Sequence, residues 1–324
     1  MSTPQTDKMQ NTSIKTTFLI ISDTHAGNRD ANPIFIPGKT VPADVAIHCG
    51  DLTDHSKLEE FKNVLEMLRK INAPLKLVVP GNNDGKSAKK ECIVLLEEGT
   101  HHFVLQNEAN LTIYASPYTQ GRNKNKKSGF RFNGCHDFNI PSNVDVVATH
   151  CPPRWVLDPN ENPHRTKTTT CREYEILFPR ISCVRPKLHC FGHDHQRWDA
   201  ELITWRHGQA PSDGPLSLYD RVVDKEASVV IKDLNNYTKA EFREGKKHKR
   251  TSHCAGDERP IVQGRNILFV NAAIQPMSHR YPAQLLWLVD IDLSLHVDKT
   301  EPAEVVEGNV SIEEGISRLA LRDK

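Results

Sequence analysis

Side chains of metal-ligand type recur at short spacings along the chain: Asp23, His25, Asp51, Asn82, His150, His193 and His195. Asp23 and His25 are two positions apart, as are His193 and His195, and in an extended chain this gap places both side chains on one face. Carboxylate and amide oxygens combined with imidazole nitrogens suit manganese, iron or zinc, and they suit neither calcium nor a thiolate zinc site. These residues therefore predict a site that could hold divalent cations.

Each candidate closely follows a short apolar run that predicts a buried strand. In open α/β sheets, ligands bind just beyond the carboxyl ends of the strands, so residues that end several strands converge on one crevice. Gly50, Gly81 and Gly192 precede candidates, and a small residue there permits a close backbone approach. The predicted strands are Phe18–Ile21, Val45–Ile47, Leu75–Val79, Val144–Ala148, Leu188–Phe191, Ile267–Val270 and Leu285–Ile291.

Helical patterns alternate with these strands. Apolar residues recur at helical spacing over Leu58–Leu68, and Ser56 with Glu59 three residues later forms a capping-box start. A second helix is predicted over Cys171–Phe178, ended by Pro179. Strands that alternate with helices predict an α/β fold with covered sheets.

The length of 324 residues fits one large α/β domain with insertions. From about residue 200 the apolar strand pattern gives way to polar sequence with Gly and Pro, so we interpret 200–264 as an insertion. We predict a flexible N-terminus over 1–16, a single domain formed by 17–199 and 265–300, the polar insertion 200–264, and a C-terminal tail over 301–324.

The overall charge is balanced, with 42 Lys and Arg against 41 Asp and Glu. Such a chain has no global field that steers it onto nucleic acid or an anionic membrane, so any affinity for phosphate is local. Two basic runs, 122–127 and 246–250, contain no interleaved aromatic residues, which favours solvated loops over nucleic-acid patches.

The eight cysteines include no C-x-x-C pair, which favours reduced, structural thiols. Met1–Thr17 lacks the basic and apolar regions of a signal peptide, and no apolar run approaches the roughly 18 residues that cross a bilayer. We therefore expect a cytoplasmic protein without a membrane partner.

The candidates fall within an ordered series of short motifs: Asp23-Thr24-His25, Gly50-Asp51, Gly81-Asn82, Thr149-His150 and Gly192-His193-Asp194-His195. This series resembles the D-x-H, G-D, G-N, H and G-H-x-H motifs of the calcineurin-like metallophosphoesterases. Asn271-Ala272-Ala273 resembles the end of that family's core, and Arg185–His189 resembles the branch called metallophosphoesterase domain-containing proteins. The resemblance implies a sandwich of β-sheets flanked by helices, with the metal site at the carboxyl ends of the strands.

The resemblance also implies a ligand set and a reaction. One metal would be held by Asp23, His25 and His195, the other by Asn82, His150 and His193, with Asp51 as the bridging carboxylate. Two divalent ions, expected to be manganese, iron or zinc, would activate a shared water for in-line attack on a phosphate ester.

Two departures from the family pattern bear on the substrate. Many members follow G-N with a histidine that protonates the leaving group, but this chain has Asn83, which cannot act as an acid. The phosphoprotein phosphatases have G-D-x-x-D-R-G, whereas this chain reads Gly50–Ser56 without the arginine that clamps phosphate. We therefore favour phosphodiester hydrolysis over protein dephosphorylation, with a small phosphoester such as a nucleotide diester as the substrate.

Two other functions stay open at this point. The fold could serve as a non-catalytic protein-binding scaffold, which Asn83 and the insertion would motivate, although its protein partners cannot be named from the sequence. Alternatively, a nuclease could use the same metals, with the basic runs on backbone phosphates, but the near-neutral charge disfavours nucleic acid as a partner.

Four further polar residues lie close to the motifs. Asp54 and Asp84 could orient ligands or cap local turns, and the sequence does not choose between these roles. His48 and His189 lie inside apolar runs, so we expect them in the core or directly behind the ligands. His136 and the remaining histidines outside the motifs receive no role.

Overall fold

The computed structural model describes residues 12–25, 41–84, 93–120, 130–132, 136–157, 176–207, 217–231, 248–275 and 284–297. In chain order the elements are β1 (Ser13–Ile21), β2 (Val45–His48), α1 (Leu58–Arg69), β3 (Leu75–Val78), β4 (Ile93–Leu95), β5 (Gly99–Val104), β6 (Asn110–Ser116), β7 (Thr119–Gln120), β8 (Arg131–Phe132), β9 (Val146–Thr149), α2 (Leu177–Val184), β10 (Leu188–Phe191), β11 (Asp199–Trp205), α3 (Leu218–Val222), β12 (Val223–Val230), β13 (His248–Ser252), β14 (Asn266–Asn271) and β15 (Leu286–Ser294).

Two large sheets and one two-stranded ribbon contain these strands. The six-stranded sheet has the order β13-β15-β1-β2-β3-β4, and the seven-stranded sheet has the order β12-β11-β14-β10-β9-β6-β5. Strands β1 to β4 are parallel, as are β6, β9, β10 and β14, so each sheet has a parallel centre. The carboxyl ends of these parallel strands are the places where the predicted ligands follow.

Three apolar layers show how the sheets pack. Alternate residues of β1 point to opposite faces: Phe18 and Ile20 pack with residues of the second sheet, whereas Leu19 and Ile21 pack with α1. A third layer joins the outer face of the seven-stranded sheet to α2 and α3. The predicted fold, a sandwich of β-sheets flanked by helices, is confirmed.

Helix α1 agrees with the prediction except at its first turn. The helix begins one residue later than the Ser56–Glu59 capping box implies, with Lys57 as the N-cap residue. The Glu60 carboxylate accepts hydrogen bonds from the backbone N–H groups of His55 and Lys57, at 3.0 and 3.1 Å. The capping glutamate is therefore Glu60 rather than Glu59.

The prediction for the second helix is wrong. Helix α2 spans Leu177–Val184, and residues 171–175 of the predicted Cys171–Phe178 lie outside the described residues. Pro179 does not end the helix but lies in its first turn, where a backbone N–H has no intrahelical acceptor to lose. Arg185 ends the helix in a left-handed conformation, with φ of 53°.

The interpretation of 200–264 as a polar insertion is also wrong for its described parts, because β11, β12 and β13 are strands of the two sheets. Every residue of β11 is buried. Its polar residue Glu201 accepts hydrogen bonds from the Leu157 backbone N–H and the Tyr219 hydroxyl, both at 2.9 Å. These hydrogen bonds offset the cost of burying the Glu201 carboxylate. The local sequence does not indicate them, because both partners lie elsewhere in the chain.

The predicted flexible N-terminus also includes ordered residues, because Ser13 to Thr16 pair with β15. Residues 1–11 and the predicted tail 301–324 lie outside the described residues. Among the described cysteines, all are free thiols, which confirms that part of the prediction: Cys49, Cys151, Cys183, Cys190 and Cys254. In the described part of the chain, no helix has both the length and the apolar character that a membrane crossing requires.

Candidate metal centre

The predicted ligands come together where the carboxyl ends of strands from both sheets meet. Asp23 and His25 follow β1, Asp51 follows β2, and Asn82 follows β3; His150 follows β9, and His193 and His195 follow β10. Two groups of side chains each bring their ligand atoms within 4.8 Å of one another: Asp23, His25 and His195 form one group, and Asp51, His150 and His193 form the other.

The first group surrounds the buried carboxylate of Asp23. His195 Nε2 lies 3.2 Å from Asp23 Oδ1, and His25 Nε2 lies 3.8 Å from the same oxygen. The His25 and His195 rings are 5.4 Å apart in an edge-to-face arrangement. Asp23 Oδ2 accepts a hydrogen bond of 2.8 Å from the His193 backbone N–H, which ties the ends of β1 and β10 together.

The second group converges on His150 Nε2. This nitrogen lies 3.2 Å from His193 Nδ1, 3.2 Å from Asn82 Oδ1 and 3.4 Å from Asp51 Oδ1. Asn82 therefore lies with the ligand candidates of the second group, where the sequence predicts it.

Asp51 reaches both groups. Its Oδ1 atom lies 3.4 Å from His150 Nε2, and its Oδ2 atom lies 3.8 Å from His25 Nε2. One carboxylate thus presents one oxygen to each group of candidate ligands. This is the position that a bridging carboxylate would need.

The backbone at the site is held in an unusual conformation. Asp23, His25, Asp51 and His193 have φ values of 55°, 41°, 51° and 67°, in the left-handed region that residues with a Cβ rarely adopt. Such conformations cost about 1–3 kcal/mol each and persist only where the surrounding structure enforces them. The tight turns after β1, β2 and β10 aim these side chains at one point.

Close backbone packing explains two of the glycines in the motifs. A Cβ at position 81 would collide with Asp51, and a Cβ at position 192 would collide with Ser22 and Asp23. The expectation that these glycines permit close approach is confirmed by the geometry.

The two aspartates with open roles have different functions. Asp54 Oδ1 accepts a 2.7 Å hydrogen bond from His25 Nδ1, which leaves Nε2 directed at Asp23 and Asp51. Asp84 instead accepts from the backbone N–H groups of Leu52, Thr53 and Gly81, at 3.0, 3.0 and 2.9 Å. Asp54 therefore orients a candidate ligand, whereas Asp84 joins the loops that carry Asp51 and Asn82.

His48 and His189 are buried behind the candidate ligands, as expected. The Gly50 N–H donates to His48 Nδ1 over 3.2 Å, so His48 Nε2 carries the proton and donates to the Thr24 hydroxyl over 3.0 Å. His189 Nε2 lies 2.9 Å from the Thr149 hydroxyl, which itself donates to the Cys151 carbonyl. Burial lowers the pKa of both imidazoles to about 3, so both are neutral supports for the threonines beside the site.

Carboxylates and imidazoles within the site shift one another's pKa. Burial alone would lower the pKa of His25 and His150. The effect of the nearby carboxylates is larger and raises the pKa of each to about 9. Burial also opposes the charge on Asp23 and Asp51, yet the histidines lower the pKa of both carboxyls. Burial and the nearby His150 charge lower the pKa of His193 to about 4. A proton and a divalent cation would compete for the same ring nitrogens.

The residues fit a metal. His25 Nε2 is buried and has no hydrogen-bond partner among the described residues, although two carboxylate oxygens lie 3.8 Å away. A cation between these atoms would satisfy all of them, since buried charges are stable when paired or bound to a metal. Similarly, His150 donates from Nδ1 to the Cys49 carbonyl over 2.9 Å, which orients Nε2 towards the centre of the second group.

Asn83 is in contact with the bridging candidate. Its backbone N–H donates to Asp51 Oδ1 over 2.9 Å, and its side-chain Nδ2 donates to Asp51 Oδ2 over 2.8 Å. Asn82 Nδ2 donates to Asn83 Oδ1 over 3.1 Å, which orients the amide. From the sequence, position 83 was notable only because it has asparagine where many family members have an acidic histidine. Its role as a hydrogen-bond donor to Asp51 was not predicted.

Asn271 is a second residue whose role the motifs did not specify. Its Nδ2 donates to the Asp194 carbonyl over 2.8 Å, and its Oδ1 accepts from the Ala273 N–H over 3.1 Å. It therefore holds the loop that carries His193 and His195. The sequence signal for this role was its position directly after the predicted strand Ile267–Val270.

Comparison with known proteins agrees with this geometry. Residues 16–197 match the family profile of the calcineurin-like phosphoesterases. A UPF0046 protein of Caenorhabditis elegans is 30% identical over 205 residues, which cover 56% of this chain and 70% of that protein. Human metallophosphoesterase domain-containing protein 1 is 27% identical over 210 residues, which cover 56% of this chain and 61% of the human protein.

A third relative shows how local the match is. A probable rhamnogalacturonate lyase C of Emericella nidulans is 26% identical over 199 residues, which cover 57% of this chain but only 18% of that protein. The chain therefore spans less than two thirds of the human relative and less than a fifth of the fungal one. The resemblance carried by the motifs between residues 23 and 195 is confirmed: the chain belongs to the calcineurin-like phosphoesterase family.

Proposed function

We propose that this protein is a metal-dependent hydrolase of small phosphodiesters. The observation that carries the proposal is the Asp51 carboxylate, which presents Oδ1 to one group of candidate ligands and Oδ2 to the other. A carboxylate shared in this way suits a pair of cations rather than a single one. Membership of the calcineurin-like phosphoesterase family supports a phosphoester as the bond that is cleaved.

The proposed ligands divide between two divalent ions, with manganese, iron and zinc as the candidates. Asp23, His25 and His195 would hold one ion, Asn82, His150 and His193 the other, and Asp51 both. When bound, such ions supply charge stabilisation for the phosphoryl oxygens and lower the pKa of a coordinated water.

The protein's own contribution is orientation. Asp54 holds the His25 ring by its Nδ1 atom, and the Cys49 carbonyl holds the His150 ring in the same way. Asn83 donates to Asp51 and fixes the plane of its carboxylate. Because Asn83 cannot donate a proton, leaving groups that depart readily as anions should be favoured, since general acid catalysis is typically worth about 10²–10⁴-fold.

The residue at the position of the phosphate-clamping arginine, His55, supports a diester over a phosphoprotein as the substrate. His55 stands where the phosphoprotein phosphatases have arginine, and its Nδ1 atom lies 3.3 Å from Glu60 Oε1 at the start of α1. Its side chain is 69% exposed. His55 is thus engaged with the helix, and no guanidinium is supplied there to hold a dianionic monoester.

The described residues give little support to the two alternative functions, a protein-binding scaffold and a nuclease. The scaffold hypothesis drew on a polar insertion, but β11, β12 and β13 of that stretch belong to the sheets. The nuclease hypothesis drew on the basic runs, but Arg250 donates two hydrogen bonds of 3.0 Å to the buried Asp290. The run 122–127 lies entirely outside the described residues. We keep a small phosphoester as the proposed partner and the cytoplasm as the proposed location.

The test is hydrolysis of bis(p-nitrophenyl) phosphate by metal-stripped protein titrated with Mn²⁺, Fe²⁺ or Zn²⁺. We expect metal-dependent turnover in the wild type, and loss of that turnover in Asp51→Asn, which removes the charge from the bridging position. Glu258→Gln is the matched control, because Glu258 is 88% exposed, pairs with Arg259 and follows β13, which runs away from the edge of the sheet that carries the candidate ligands. Folded protein without turnover in any of these metals would refute the proposal and favour the scaffold.

A further inference from the structure

A group of aromatic rings follows β6, the strand whose last residue contacts the backbone of a candidate metal ligand. Strand β6 ends at Ser116, whose carbonyl accepts a 3.3 Å hydrogen bond from the backbone N–H of His150. Tyr118 follows two residues later, so at most about 7 Å of chain separates its Cα from that of Ser116. The ribbon of β7 and β8 then begins at Thr119. The ribbon therefore leaves the sheet at the edge that carries the candidate ligands.

The rings contact one another and form what we call the aromatic cluster: Tyr118, Phe130, Phe132 and His136. The His136 imidazole contacts both Tyr118 and Phe132, with centroid distances of 4.7 and 4.9 Å and interplanar angles of 38° and 31°. Phe130 meets Tyr118 edge-on at 6.0 Å. Beneath them, Phe138 meets His136 edge-on at 4.8 Å.

Hydrogen bonds fix the position of this stack. His136 Nε2 lies 2.6 Å from Glu98 Oε1, and the Ser116 hydroxyl donates to the same oxygen over 2.7 Å. The Glu98 carboxylate thus joins the aromatic cluster to the last residue of β6. Rings held in this way lose little conformational freedom when a ligand binds.

Burial separates the aromatic cluster from ordinary core packing. Phe138 and Phe178 are 3% and 0% exposed, as core rings are. The four rings of the cluster are each only partly buried, and Tyr118 follows two residues after Ser116, which is hydrogen-bonded to the backbone of the candidate ligand His150. Partly exposed, pre-positioned aromatic faces are the feature that proteins use to stack the bases of nucleotides.

We propose that the aromatic cluster is a subsite that stacks a nucleobase, so that the diester held at the metal centre is a nucleotide diester. This inference rests on the proposed function, since the metal centre would hold the phosphate while the cluster holds the base. Tyr118 and Phe132 are the proposed stacking rings, because each is partly exposed and is held on one side by the His136 imidazole. Stacking is tolerant of base identity, so the subsite selects a planar base rather than one particular base.

The test compares two inhibitors of bis(p-nitrophenyl) phosphate hydrolysis by the Mn²⁺-loaded wild type. Adenosine 5′-monophosphate and ribose 5-phosphate share the phosphate and the ribose, and only the first has a base. We expect adenosine 5′-monophosphate to inhibit at a concentration about tenfold lower, because stacking on aromatic side chains has effects of this size or larger. This comparison needs no variant, so it does not depend on a substitution being tolerated.

Substitutions then locate the effect. Tyr118→Leu and Phe132→Leu should each raise the inhibition constant of adenosine 5′-monophosphate several-fold without a comparable change for ribose 5-phosphate. Tyr118→Phe keeps the ring and should behave as the wild type. Phe103→Leu removes a partly buried ring from β5, away from the aromatic cluster, and controls for general loss of apolar packing.

The possible failures are distinguishable. Equal inhibition by both compounds, with metal-dependent turnover intact, would overturn the subsite and leave the proposed function standing. A base preference that survives both leucine substitutions would also overturn it, because the base would then bind elsewhere. Absence of metal-dependent turnover would overturn the proposed function and the subsite with it.

Discussion

Removal of the Asp54 carboxylate should weaken metal binding although Asp54 is not itself a proposed ligand. Asp54 Oδ1 accepts from His25 Nδ1 over 2.7 Å, and the two side chains are 31% and 8% exposed. A hydrogen bond to a charged group contributes about 1.5–3 kcal/mol, and the exposure of Asp54 places this one near the lower limit because water screens it. A loss of about 1.5 kcal/mol corresponds to roughly a tenfold lower affinity for Mn²⁺.

The assay is calorimetric titration of Mn²⁺ into metal-stripped wild type, Asp54→Ala and Asp54→Asn. The asparagine keeps an acceptor oxygen but loses the charge, so its affinity should fall only about threefold, since charge-assisted hydrogen bonds are about twice as strong as neutral ones. Glu258→Gln, with its exposed carboxylate, should bind Mn²⁺ as the wild type does. If Asp54→Ala bound Mn²⁺ as tightly as the wild type, the idea that Asp54 orients His25 for a metal would be refuted.

Three further predictions concern other residues. Asn83→His introduces a general acid beside Asp51, so the rate with an alkyl phosphodiester should rise relative to the rate with bis(p-nitrophenyl) phosphate. An unchanged ratio of the two rates would contradict the idea that position 83 is where an acid would protonate the leaving group. Gly192→Ala places a Cβ against Ser22 and Asp23 and should lower both the melting temperature and Mn²⁺ affinity, whereas an unaffected protein would contradict the packing. Asp290→Asn removes the buried charge that pairs with Lys15 and Arg250, whose side chains are about half exposed. Breaking a fully buried ion pair costs about 3–5 kcal/mol, and because water screens these two partners we expect a loss of about 2 kcal/mol in the free energy of unfolding at neutral pH.

The pH dependence of the Asp290 effect has a definite sign. Burial alone would raise the pKa of Asp290, but hydrogen bonds from Lys15, Thr17 and Arg250 lower it below its ordinary value. A carboxyl with a lowered pKa in the folded state stabilises the protein above its unfolded pKa of about 3.9, and this contribution is lost as pH falls through the folded value. The difference in stability between wild type and Asp290→Asn should therefore be constant at neutral pH and shrink below about pH 4, as chemical denaturation at each pH would show.

The candidate ligands were predictable because their positions depend on local sequence. Asp23, Asp51 and His150 each follow a short apolar run, and parallel strands end at the same edge of a sheet, so separation along the chain did not matter. The divided contacts of Asp51 could not be read from the sequence, since they depend on how the two sheets face each other. The same holds for the hydrogen bonds from Asn83.

Much of what the sequence did not show depends on partners that are distant in sequence. Glu201 makes β11 look polar, but its hydrogen bonds to Leu157 and Tyr219 allow it to be buried in the sandwich. Pro179 looks like the end of a helix, and only the path of the chain shows that it lies in the first turn of one. The aromatic cluster escaped notice because Tyr118, Phe132 and His136 are brought together by the β7–β8 ribbon rather than by sequence spacing.

In the proposed centre, the two groups of side chains hold two divalent ions joined by Asp51. The most direct measurement is the number of manganese ions per chain after reconstitution and desalting, by elemental analysis of wild type and Asp51→Asn. We predict two ions per wild-type chain and a loss of bound metal in Asp51→Asn, with turnover that requires the second ion. A fully active wild type with a single bound ion would contradict the account.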